Sequence, residues 1–159
     1  MQTHSRLALA ATMVLLTSMS QLMANPADSI NGTWELNVAK SRFDPGPPPR
    51  SQTRTYESDG QTVRMTSKGV NAEGKVTEVE YTASYDGKDA AMKGSPIADT
   101  ISLKRIDDAT TEATLKKGGK VVSTSTRVIS KDGKEMTITT SGINERGQPI
   151  KSELVFERK

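Results

Sequence analysis

Cysteine is absent from this chain of 159 residues, and its single histidine, His4, lies at the extreme start. Thiol nucleophiles, disulfides, Cys/His zinc sites, haem ligation through His or Cys and His-based triads all need a thiolate or an imidazole, so a domain that begins after His4 excludes them. Carboxylates, Lys, Arg, Tyr and hydroxyls are the groups left for chemistry. No catalytic residue, metal ligand set or cofactor is assigned on these grounds. Large rings are scarce as well, with one Trp, three Tyr and two Phe. Charge of one sign is missing: 22 Lys and Arg against 19 Asp and Glu leave a net charge of +3, interspersed rather than gathered into a stripe. Nucleic acid is therefore not an expected partner. Apolar runs are short too. The longest, Leu7 to Leu16, is about half of the roughly 20 residues a membrane helix needs, so no transmembrane segment is expected in the mature protein.

What is there begins with export anatomy. Met1 to Arg6 is basic, Leu7 to Leu16 apolar, and Ser18 to Ala24 offers small residues for cleavage. The pattern predicts a signal peptide over 1–24, cut after Ala24 with Ser20 as the second choice, and a periplasmic or secreted product. The remaining domain, 25–159, has about 135 residues, enough to bury roughly two thirds of its unfolded surface without disulfide staples.

Past Asn25 the chain reads as a meander of strands. Turn pairs recur about every 8 to 12 residues: Asp59-Gly60, Asn71 to Gly74, Asp86-Gly87, Asp107-Asp108, Gly118-Gly119, Asp132-Gly133 and Asn144 to Gly147. Between them lie period-2 patterns that predict about ten strands, near 32–37, 50–57, 61–69, 75–85, 88–93, 99–106, 110–117, 120–129, 134–142 and 148–157. Pairing across three-residue loops at Ser58 to Gly60 and Lys131 to Gly133 sets Thr55 opposite Val63, Thr53 opposite Met65, Val128 opposite Met136 and Thr126 opposite Ile138. A Gly118-Gly119 turn sets Leu115 opposite Val122. Leu103 meets Ala113, Met65 meets Val79, Val63 meets Tyr81, and Met136 meets Leu154. One face then holds the apolar residues with Thr53, Thr55, Ala83, Ala113, Thr124 and Thr126. The other carries charged residues, Arg54, Arg64 and Arg127 among them, as a face for water. With no helix to cover its apolar face, such a sheet folds on itself. Sequential hairpins favour an all-β, single up-and-down antiparallel barrel, with a Greek-key sandwich as the other solution.

The chain also resembles itself at an offset of 73. Arg54 aligns with Arg127, Asp59-Gly60 with Asp132-Gly133, Thr66 with Thr139, Gly69 to Gly74 with Gly142 to Gly147, and Glu80 with Glu153. Two readings follow: similar hairpins selecting similar turn residues, or a quasi-symmetric barrel built from related halves.

The segment Gly32-Thr33-Trp34-Glu35-Leu36, followed by Ser41-Arg42-Phe43-Asp44, resembles the opening strand of the calycin superfamily, the lipocalins and fatty-acid-binding proteins. Val155 to Lys159 resembles the closing strand of the fatty-acid-binding branch, and the chain is similar to small exported bacterial lipocalin-like proteins. The resemblance implies a ten-strand barrel with Trp34 plugging one end. Two departures stand out. Leu154 and Phe156 occupy the places where that branch carries an Arg-x-Tyr carboxylate clamp. Pro45-Gly46-Pro47-Pro48-Pro49 stands where it inserts a helical lid, and proline disfavours helix there.

The small inward residues leave two alternatives, a partly hydroxyl-lined pocket or a packed core. The candidate ligand-binding residues are Trp34, Met65, Tyr81, Arg105, Thr124, Thr126 and Met136. Arg105 faces inward at a strand end, where it either snorkels to solvent or meets an anionic group. Tyr81 either fills core or orients a ligand through its hydroxyl. The leading expectation is an exported barrel that binds a small, partly apolar molecule through burial rather than a strong charge clamp. The alternative is a packed barrel acting as an envelope interaction or stress-related module. Tyr, Arg and Glu without histidine can serve a lyase or isomerase, which is a third reading.

Overall fold

The computed structural model describes residues 28–159, so the expected leader over 1–24 lies outside the described residues. The strands are β1 (Gly32–Leu36), β2 (Arg42–Asp44), β3 (Ser51–Ser58), β4 (Thr62–Val70), β5 (Val76–Ser84), β6 (Asp86–Lys93), β7 (Thr100–Arg105), β8 (Thr110–Lys117), β9 (Lys120–Ile129), β10 (Glu135–Ile143) and β11 (Pro149–Arg158). β1 and then β3 to β11 pair antiparallel in sequence order, and β11 pairs back onto β1, closing a ten-strand up-and-down barrel. The sandwich alternative is thereby set aside. β2 is an eleventh strand that the sequence pattern missed. It borders Lys151 to Glu153 of β11, beyond the stretch where Leu36 and Trp34 of β1 face Phe156 and Arg158. A single 3-10 turn over Val38–Lys40 is the helical element among the described residues, none of which form a helix long and apolar enough to cross a membrane. The Pro45 to Pro49 segment is neither helix nor strand.

Register decides which side chains enter the barrel, because a shift of one residue swaps the faces. Leu103 opposes Ala113 as the pattern predicts. β4 with β5 and β10 with β11 slide by two residues, so that Met65 opposes Tyr81 and Met136 opposes Phe156. An even slide leaves the faces unchanged.

Two strands are reversed, and each reversal is a correction. In the β3–β4 hairpin the innermost ladder pair is Ser58 with Val63, enclosing four residues where the three-residue loop implied an odd number. The Asp59 carboxylate fixes this turn by accepting from the Gln61 and Thr62 N–H groups at 2.9 and 2.7 Å. Thr53 and Thr55 therefore face outward, and Gln52, Arg54 and Tyr56 face inward.

β9 is reversed from both sides. Lys116 opposes Val121 as the Gly118-Gly119 turn requires, but Leu115 opposes Ser123, so Val122 is an extra residue in a bulge. At the other end Met136 opposes Ile129 and Ile138 opposes Arg127. Ser123, Ser125, Arg127 and Ile129 consequently point inward, while Thr124 and Thr126 point outward and Val128 is exposed.

The apolar core concentrates at one end. Ile30, Trp34, Val63, Met136 and Phe156 are completely buried there, with Ala83 and Ile129 beside them. The Trp34 indole N–H donates to the Ile30 carbonyl at 2.8 Å, and the Arg158 guanidinium lies 4.2 Å from the centre of the Trp34 ring system. The segment before β1 is thus drawn across the barrel as a plug.

The 73-residue offset survives in three dimensions. Thr66 opposes Glu80 in β4–β5, and Thr139 opposes Glu153 in β10–β11, an identical register. Asn71 and Asn144 build the same turn, each carboxamide oxygen accepting from the backbone N–H four residues on, at 2.8 and 3.0 Å. Gly69 and Gly142 share a constraint as well. A Cβ on either would collide with the adjoining strand, at Ser51 or at Val122 and Ser123. The equivalent arginines, Arg54 and Arg127, both turn inward.

Candidate functional site

Above the plug the barrel does not fill. A cavity of about 280 Å³ occupies the other half and opens between the strand ends there. Its walls are Met65, Val79, Tyr81, Ile101, Leu103 and Leu115, continued by Ile138 and Leu154. Serine and threonine hydroxyls from Ser67, Thr111, Ser123, Ser125, Thr140 and Ser152 interrupt them. Ten strands set a circumference that small inward residues cannot fill, which is why space remains. The loop after β6 brings Ser95 and Ile97 to the rim. It is held there by Gly94, whose φ is +76° and whose Cα lies so close to Glu78 of β5 that a side chain would strike the backbone.

The polar part of the wall is cationic. Arg127 is 7 % exposed; its Nη2 donates to Thr111 Oγ1 at 3.0 Å and to the Tyr85 hydroxyl at 3.3 Å. Arg54 Nη1 is 3.5 Å from the Tyr56 hydroxyl, and Arg127 lies 5.2 Å from the centre of the Tyr56 ring. The two guanidiniums thus meet around one phenol. The Nε groups of both arginines are buried without a hydrogen-bond partner, as are the hydroxyls of Ser123 and Thr100. No Asp or Glu lines the cavity, and among the described residues neither arginine forms an ion pair. Burial opposes ionisation of Tyr56, yet the charges of Arg54 and Arg127 outweigh it and hold its phenol below the ordinary tyrosine value. Burial also dominates at Tyr81 and raises its phenol, with Tyr56 adding to the effect.

Beneath this wall a third arginine has a carboxylate partner. Arg105 and Asp28 form an ion pair, and Asp28 also accepts from Ser58 Oγ at 2.8 Å and from the Tyr85 hydroxyl at 3.4 Å. Arg105 stacks 4.1 Å from the centre of the Tyr85 ring. Tyr85 therefore touches both the paired and the unpaired arginine.

The residues singled out in the sequence separate into three groups. Met65 and Tyr81 lie in the cavity wall. Trp34, Met136 and Arg105 belong to the plugged end, where Trp34 and Met136 are packed core and Arg105 answers Asp28. Thr124 and Thr126 are on the outer face, moved there by the Val122 bulge. The sequence pattern puts Arg54 and Arg127 on the wet face, and the structure turns both into the cavity wall. The usable signals were the repeat, which aligns Arg54 with Arg127, and the apolar residue two positions after each, Tyr56 and Ile129, which share their face. Among the described residues no group of three His, Cys, Asp or Glu side chains could hold a metal.

No family model matches this chain, and no curated protein matches it. Among solved structures, the structure of EF1p2_mFAP2b bound to DFHBI is similar with a TM-score of 0.49 and 9 % sequence identity, over 86 % of this chain and 99 % of that one.

Proposed function

We propose that this protein binds a small, partly apolar molecule inside its barrel, and that it does so after export. The observation that carries the reading is the cavity itself: about 280 Å³ walled by aliphatic side chains and a few convergent polar groups, above an end that is separately packed. Binding sites for small molecules have this composition, apolar walls for affinity and few polar groups for orientation. A packed interaction module would have used this volume for side chains. The Gly32-Thr33-Trp34 opening and the closed ten-strand plan support a calycin-type relationship. The basic, apolar and small-residue order of the first 24 residues supports export.

Native mass spectrometry of protein purified gently from its own host tests the reading. The expected result is a releasable one-to-one adduct that disappears on denaturation. A clean unliganded mass, with no uptake from a metabolite and lipid extract, would overturn it.

A further inference from the structure

We propose that the chamber selects a compact organic anion, its negative group held between Arg54 and Arg127 and its apolar body against Met65, Ile101, Leu103 and Ile138. This deepens the pocket reading and rests on it.

Two observations carry the anion. A guanidinium cannot escape its charge by losing a proton inside a protein, so a buried one is costly unless an anion or full hydrogen bonding answers it. Arg105 is answered by Asp28, a carboxylate on the same barrel end. Arg127, more deeply buried, has only two hydroxyls on one nitrogen and none on Nε; Arg54 repeats the unmet Nε. The cavity wall supplies no carboxylate for either. The wall therefore holds two guanidiniums that share the Tyr56 phenol and have no carboxylate partner. Carboxylates, sulfonates and phosphates are the groups that accept from such forks.

Volume sets the size of the body. At about 30 Å³ for each water, the enclosed space corresponds to roughly nine waters, the scale of a single ring with one substituent. A ring bearing one carboxylate fits within this volume, whereas a long acyl chain would have to extend out through the open end. The arrangement also differs from a clamp on the closing strand. Its arginines come from β3 and β9, at positions related by the internal repeat, and the closing strand contributes Leu154 to the wall.

The test is an NMR titration of the protein with benzoate, with benzamide as a neutral molecule of the same shape, and with palmitate as a long acid. The arginine Nε–H resonances are followed with the backbone amides. Benzoate is expected to bind at least about tenfold more tightly than benzamide, the scale of a hydrogen bond to a charged group. It should shift the Nε–H signals of Arg54 and Arg127, and palmitate should not displace it. Arg127→Met and Arg54→Met should each abolish the preference for benzoate over benzamide. Equal binding of benzoate and benzamide would overturn the anion while leaving the pocket reading intact. Tighter binding of palmitate would overturn the compact size. Failure of all three to bind would overturn this inference, while the native mass spectrum decides the pocket reading separately. The wild-type comparison decides the matter even if a variant does not fold.

Discussion

Arg105 and Arg127 lie on the same interior, touch the same tyrosine, and are treated in opposite ways. At the plugged end Arg105 has a carboxylate, and that carboxylate has a serine and a phenol as further donors. In the chamber Arg127 is buried to 7 % exposure with hydroxyls alone. A protein that gives its buried charge a carboxylate at one end and none at the other has, on the proposed reading, divided its interior into a structural half and a binding half. Buried ionic groups with one partner missing are destabilising, and the proposed anion is what would answer the charge in the chamber.

The largest way to break this contrast is Trp34→Ala, which removes the main filler of the plug. It is expected to cost about 3–5 kcal/mol, read from chemical denaturation, because a fully buried ring leaves a cavity behind. A loss below about 1 kcal/mol would mean that the plug is not the structural half.

Asp28→Asn comes next, with an expected loss of about 1–2 kcal/mol, discounted because Arg105 keeps partial access to solvent. Burial raises the Asp28 carboxyl, but the Ser58 hydrogen bond and Arg105 outweigh it and hold it below its ordinary value of 3.8. The sign follows from the lowered folded value. The contribution is fully present above the unfolded value and is lost as pH falls through the lower folded one. Wild-type stability should therefore fall on that acid limb, and the Asp28→Asn curve should be flatter there. Parallel curves would remove Asp28 from the account.

Arg127→Met should behave in the opposite sense. The unliganded protein should be unchanged or more stable by about 1 kcal/mol, because the substitution removes a buried charge without a counter-charge. Thermal melting checks this, and a marked loss would show that Arg127 serves the fold as Arg105 does. The smallest effects belong to Thr124→Val and Thr126→Val on the outer face, each expected within about 0.5 kcal/mol and without effect on ligand uptake. Loss of uptake in either would restore these residues to the chamber.

Most of the barrel was legible in the sequence because turn residues and alternation are local. Apart from Asp86-Gly87, which lies inside β6, the Asp-Gly and Asn-to-Gly turns fixed where strands end, and the faces of β4, β5, β7, β8, β10 and β11 follow from apolar alternation alone. What was not legible depended on counting one residue. A Thr-rich strand such as β9 has no strong apolar face, so nothing in Ser123 to Arg127 resists a one-residue change in register. The Val122 bulge and the four residues between Ser58 and Val63 supplied that change. Both errors removed an arginine from the interior. The candidate site was consequently half visible: Met65 and Tyr81 could be read from alternation, but Arg54 and Arg127 could not. Arg105 and Trp34 were placed inside correctly, yet their partners, Asp28 and Ile30, lie in the segment before β1, where no periodic pattern signals a contact.

The most direct measurement is a crystal structure of the protein grown with 4-bromobenzoate, the bromine located by its anomalous signal. The account predicts one molecule in the barrel, its carboxylate hydrogen-bonded to Arg54 and Arg127 and its bromine toward the Ser95 and Ile97 rim. A molecule seated with its carboxylate at the rim, or a barrel whose interior has repacked and excludes it, would contradict the account.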